Sequence, residues 1–173
     1  MKIRPAVIGD EKQIASVHVK SWQSAYRNIL PDDFLSGLSV EQREKMWRSA
    51  LERPLKEHGV YVAEDSCSQI IGFANGGPNR SKDSYPDFKG ELNAIYLLEE
   101  SWGNGTGSQL VEAVTHHLKG NGLTSMLVWA FADNPPARKF YEKLGAVFLG
   151  EGTININGIE YGEVVYGWKT MPF

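Results

Sequence analysis

The chain has 173 residues and a net charge of -3, with 42% apolar and 23% charged residues. That balance describes a folded chain about the size of one domain, expected to span 1-173, in which roughly 70% of the unfolded surface leaves water. It offers no basic stripe for nucleic acid. The lone cysteine, Cys67 in EDSCSQ, rules out an internal disulfide, and four histidines without paired spacing argue against a metal site. The opening MKIRPAVIGD has no apolar leader, and the longest apolar run, MLVWAFA from Met126, is too short to cross a bilayer. A cytoplasmic chain without membrane contact is expected.

In chain order, a short strand is expected at Lys2 to Arg4. An amphipathic helix follows, with Asp10 as N-cap and Ile14, Val17, Trp22, Ala25 and Tyr26 on its apolar face. LSVEQREKMWRSAL predicts a second helix, Ser39 and Gln42 having the spacing of a capping box. GVYVAED and QIIGFANGG predict an antiparallel hairpin, and GELNAIYLLEE a third long strand. The intervening PNRSKDSYPDFK is too polar for a core and is a candidate rim of a site. Beyond residue 101, Leu110, Val111, Val114 and Leu118 recur at helical spacing. SMLVWAFA is apolar on both faces and reads as a central strand parallel to ELNAIYL, the helix being their crossover. NPPARKFYEKLG is a short helix capped by Asn134 and closed by Gly145, and Asn157-Gly158 signals a tight terminal hairpin.

SWGNGTGSQLVEAV, from Ser101, places a glycine loop between a strand and a helix. The first turn of a helix leaves N–H groups unpaired, its dipole favours an anion, and glycine lets a ligand approach the main chain. The expected phosphate donors run from Trp102 through Gly103, Asn104, Gly105, Thr106 and Gly107 to Ser108. No lysine follows Gly107, which removes the P-loop, and Ser108 stands where the last glycine of a dinucleotide fingerprint belongs.

IYLLEESWGNGTGSQLVEAV resembles the acetyl-CoA-binding motif of the GNAT superfamily of N-acetyltransferases, and NPPARKFYEKLGAVFLGE resembles the motif that follows it. The likeness covers about Gly59 to Trp168, and VHVKSWQSAYRNILPDDFL is similar to N-terminal segments of some bacterial members. It implies an α/β (α+β) fold: a central mixed, mostly antiparallel twisted sheet splayed at two parallel strands, with helices on both faces and CoA wedged into the splay. It also implies acetyl-CoA as co-substrate, no metal, and dimers as a common assembly. Two positions depart from the family pattern. Glu99 replaces a usual proline, and Trp102 replaces the Gln or Arg ahead of the first glycine.

The resemblance places the pyrophosphate on the glycine loop and the pantetheine along Tyr96, Leu97 and Leu98, paired like an added strand. A main-chain N–H near Leu97 would polarise the thioester carbonyl. Acyl transfer needs the neutral amine, and Glu91 matches a frequent family position for the base; a solvated strand-end carboxylate is the alternative. Tyr141 matches the family's acid for the leaving thiolate, although Ala137, Phe140, Tyr141 and Leu144 also make an ordinary core face. Asn134 can cap its helix, touch CoA, or do both. Trp22 and Tyr26, one turn apart, line the acceptor pocket with the loop from Pro78 to Phe88 or belong to the core. Cys67 has no base beside it, so direct transfer in a ternary complex to a primary amine, of a small molecule before a peptide, is expected. A non-catalytic acyl-CoA sensor on the same fold is the alternative.

Overall fold

The computed structural model describes residues 1–173. Seven strands form one sheet in the order β1-β2-β3-β4-β5-β7-β6. These are β1 (Lys2–Pro5), β2 (Gly59–Glu64), β3 (Ile70–Pro78), β4 (Gly90–Leu97), β5 (Met126–Phe131), β6 (Val147–Ile156) and β7 (Ile159–Trp168). The helices are α1 (Glu11–Ala25), α2 (Asp32–Ser36), α3 (Val40–Glu52), α4 (Thr106–Gly120) and α5 (Pro135–Lys143). Every neighbouring pair is antiparallel except β4 and β5. The expected splayed mixed sheet is what the chain forms. No helix is long and apolar enough to cross a membrane.

Helices cover both faces. Leu110, Val111, Val114 and Leu118 of α4 are all fully buried and join Tyr141 of α5, Val128, Val164, Tyr166 and Trp168 in the largest cluster. Burying each such aliphatic side chain is worth about 1.5–3 kcal/mol. On the opposite face α1 and α3 bring Ile14, Val17 and Trp47 onto Val62 and Phe73. Ser39 caps α3 by accepting from the Gln42 N–H at 3.2 Å, and Asn134 caps α5 by accepting from the Ala137 N–H at 3.2 Å. Asp10 behaves differently from the sequence expectation. Its carboxylate turns back to accept from the Val7 N–H and from Arg4, tying β1 to the helix instead of capping it. The five-residue α2 was not expected, being too short to show a period. At the terminal hairpin Asn157 and Gly158 both have positive φ, 51° and 84°, as the tight turn requires.

His18 is the buried histidine of this core. It stacks on Tyr96 with ring centroids 5.2 Å apart and accepts a hydrogen bond from Trp47 Nε1 at Nδ1, 3.2 Å. The imidazole is therefore neutral, with its proton on Nε2. Burial, helped by the charge of Arg43, pushes its pKa from 6.5 down to about 3. Between those values the unfolded chain holds a proton that the folded chain does not, so stability is complete above the upper value and is lost as pH falls. One such group contributes a slope of about 1.4 kcal/mol per pH unit. Urea unfolding across this window should show that His18→Gln, which keeps an acceptor for Trp47, flattens the acid decline of the wild type; an unchanged slope would refute the assignment.

Candidate active site

β4 and β5 share only two register pairs, Gly90 with Met126 and Glu91 with Leu127, and then separate. A bulge marks the place: Gly76 of β3 faces Leu92 and Asn75 faces Ala94, which leaves Asn93 as the extra residue. Beyond it β4 keeps β3 on one side and has an open edge on the other. The Leu98 N–H donates to Ile71 C=O, and alternation along an antiparallel ladder then turns the backbone groups of Leu97 and Ile95 toward the gap. The C=O of Leu97 is already occupied, by Ser21 Oγ at 2.9 Å and by the indole Nε1 of Trp102 at 3.1 Å. Free strand-edge groups are thus the N–H of Leu97 and both groups of Ile95, while Tyr96 faces β3 and Leu98 donates its N–H to β3 and accepts from the Ser101 N–H at its C=O.

The loop past β4 makes a single 3₁₀ turn at Glu99–Ser101 and enters α4 through Gly105. Gly103 and Gly105 have φ of +76° and +85°, which side-chain-bearing residues adopt only under strain. Gly107 answers a different need, because a Cβ there would lie 3.2 Å from the Phe140 ring. The N–H groups of Gly103, Asn104, Gly105, Gly107 and Ser108 have no acceptor in the protein. Trp102 and Thr106 do not join them, since their N–H groups donate to Glu99 C=O and to Asn104 Oδ1. The first turn of α4 carries no acidic residue. Five unpaired donors at a positive helix end, unopposed by carboxylate, fit a diphosphate.

Tyr141 of α5 packs its ring against Tyr166 and Trp168 of β7. Its residue is 6% exposed, and its hydroxyl forms no hydrogen bond with the protein. Burial raises its pKa, and the nearby phenol of Tyr96 raises it further. Across the gap the hydroxyls of Tyr96 and Tyr26 lie 3.0 Å apart. Glu91, where the strands part, is 1% exposed and fully engaged. One carboxylate oxygen accepts from the Arg80 N–H at 2.9 Å, and the other from its Nε and Nη2 at 3.1 and 2.5 Å.

Comparison with known proteins agrees with this geometry. The model of the "Acetyltransferase (GNAT) family" matches residues 22–146. The chain belongs to the GNAT acetyltransferase family. An uncharacterised N-acetyltransferase of Bacillus subtilis (strain 168), YuaI, is 39% identical over 169 residues, covering 98% of this chain and 93% of its own. The phosphinothricin N-acetyltransferase of Streptomyces viridochromogenes is 21% identical, covering 100% and 85%. Among solved structures, the PaiA N-acetyltransferase of Thermoplasma acidophilum in complex with coenzyme A superposes with a TM-score of 0.71 at 19% identity, covering 94% of this chain and 96% of that one. Acetyl-CoA is the co-substrate, and the protein is an N-acetyltransferase.

On the face away from α5, this GNAT acetyltransferase arranges the other expected residues in two groups. Tyr26, with Leu30, Leu35 and Phe131, forms a small core against which Trp22, Phe34 and Tyr161 pack. Arg43 lies over the Trp22 ring at 5.2 Å and, with Phe34, Leu38 and Gln42, lines a surface cavity of about 420 Å3. The loop after Pro78 does not meet Trp22 and Tyr26. Its Tyr85 and Phe88 pack instead with Leu127, Val165 and Trp129 in a separate cluster. Asn134 caps the helix with its side-chain oxygen, and its amide nitrogen has no partner in the protein. The sequence reading missed Arg80, the bulge at Asn93 and the Ser21 and Trp102 bonds to Leu97. None has a local signature, because each depends on a pairing fixed by the fold.

Proposed function

We propose that the protein moves the acetyl group of acetyl-CoA onto the primary amine of a small molecule by direct attack within a ternary complex. The carrying observation is the set of unpaired N–H groups of Gly103, Asn104, Gly105, Gly107 and Ser108 at the positive end of α4. The loop N–H groups hold the diphosphate, and Leu97 and Ile95 hold the pantetheine amides as an added strand would. The Leu97 N–H, facing the gap, is the donor for the thioester carbonyl. Tyr141, raised by burial above the range of a thiol near pKa 8.5, keeps its proton and stabilises the departing sulfur by a hydrogen bond. Cys67 is exposed in the β2–β3 turn and its thiol bonds no base, which supports transfer without an acyl-enzyme. Trp22 and Tyr26 contribute an aromatic wall to the acceptor side. Relatives named for small acceptors, phosphinothricin and methionine sulfoximine, support a small amine over a peptide.

The test is release of CoA thiol, with mass analysis of the product, across methionine, 1,4-diaminobutane, tyramine and a short peptide. Acetylated small amine is the expected product. Thiol release independent of any amine, or transfer to the peptide alone, would overturn the reading.

A further inference from the structure

With both oxygens of Glu91 committed to Arg80, the gap needs another proton acceptor. Glu163 of β7 stands opposite Phe131 of β5 and Gly152 of β6. Strand alternation puts it on the same face as Tyr161 and Val165, between the Tyr26–Phe131 core and the Trp129–Phe88 cluster. Gly152, opposite Glu163 on β6, leaves its place on that face to the Trp129 ring, which would lie 3.0 Å from a Cβ there. Glu163 is half-buried yet makes no ion pair and no side-chain hydrogen bond, unlike Asp10, Glu11 and Glu91. A half-buried carboxylate without a partner costs stability, and the fold gains nothing from it.

We propose that Glu163 is the carboxylate that receives the acceptor's ammonium and takes its proton. This rests on the amine-transfer reading above. The titratable groups near enough to act on Glu163 through their charge are Arg80 from the loop, Glu91 and Tyr96 from β4, and Tyr26 from α1. Burial raises the carboxyl, Arg80 offsets part of that rise, and Glu91 adds to it. A raised carboxylate is the stronger base. In the reaction one ammonium proton passes to Glu163. The freed nitrogen pair forms the N–C bond to the acetyl carbon, the C–S bond breaks with its electrons on sulfur, and the second nitrogen proton ends on that sulfur. Glu163 then returns its proton to water.

The experiment compares wild type, Glu163→Gln and Glu163→Asp with the best acceptor of the amine panel. Glu163→Gln should lower kcat/KM about a hundredfold at neutral pH and replace the wild-type acid limb by one that climbs to the amine's own pKa, where the rate recovers. Its acetyl-CoA affinity should stay within twofold and its Tm should hold or rise, since an unpaired charge has been removed. Glu163→Asp should keep the wild-type limb and part of the rate. If the wild type transfers and Glu163→Gln stays within threefold with the wild-type acid limb intact, Glu163 is not the base and amine transfer still stands. If the wild type acetylates no amine, the amine reading falls and this role falls with it.

Discussion

Gly105→Val should weaken acetyl-CoA binding about a hundredfold in titration calorimetry while the protein remains folded. Gly105 precedes α4 with φ of +85°, and its neighbour Gly103 has φ of +76°. A β-branched residue held there carries strain of about 1–3 kcal/mol, which the loop relieves by leaving this conformation. The five N–H groups that converge on the diphosphate then diverge. Each charge-assisted bond is worth about 1.5–3 kcal/mol, so losing one or two accounts for a hundredfold, which is about 2.7 kcal/mol. The Cβ itself meets nothing within 4 Å, so the effect is conformational and not a clash. Gly122→Val supplies the control. Gly122 has φ of +80° just past the far end of the same helix. It should cost comparable stability and leave acetyl-CoA affinity unchanged; equal loss of affinity in both variants would show that the loop is not the anion site.

Tyr141→Phe should lower kcat roughly a hundredfold and leave acetyl-CoA affinity within about twofold, because removing one donor aimed at developing charge costs about 2.7–4 kcal/mol. The hydroxyl has no partner in the protein, so its removal strands no buried group, and the variant should unfold at or above the wild-type temperature. A core tyrosine would behave in the opposite way, losing stability with little change in turnover. Near-wild-type kcat would remove Tyr141 from the chemistry.

Much of the fold could be read from short-range signals. The α4 stripe, the Ser39 and Asn134 caps and the Asn157-Gly158 turn depend on residues a few positions apart, where local propensity and tertiary packing agree. The site was legible in part for the same reason, since the glycine loop and the start of its helix are contiguous. What escaped was set by distance. Arg80 reaches Glu91 across a loop of eleven positions, so sequence shows a strand-end carboxylate and conceals its partner. Trp102 replaces a charged or polar family residue and bonds a strand carbonyl that is visible only after folding. Glu163 did leave a trace: Tyr161, Glu163 and Val165 share one strand face, and a charge there interrupts an otherwise apolar period of two.

The two halves of the sheet are laced together at β4 and β5 by only two register pairs, reinforced where the Gly90 N–H meets Ser125 C=O. Everything above that short seam is held apart by side chains and by whatever fills the opening. An occupant that pairs with β4 on one lip and rests on α4 and α5 at the other works as a strut. The donor that the enzyme consumes would thus also brace its architecture, so the protein is mechanically softest in the interval between one product leaving and the next donor arriving.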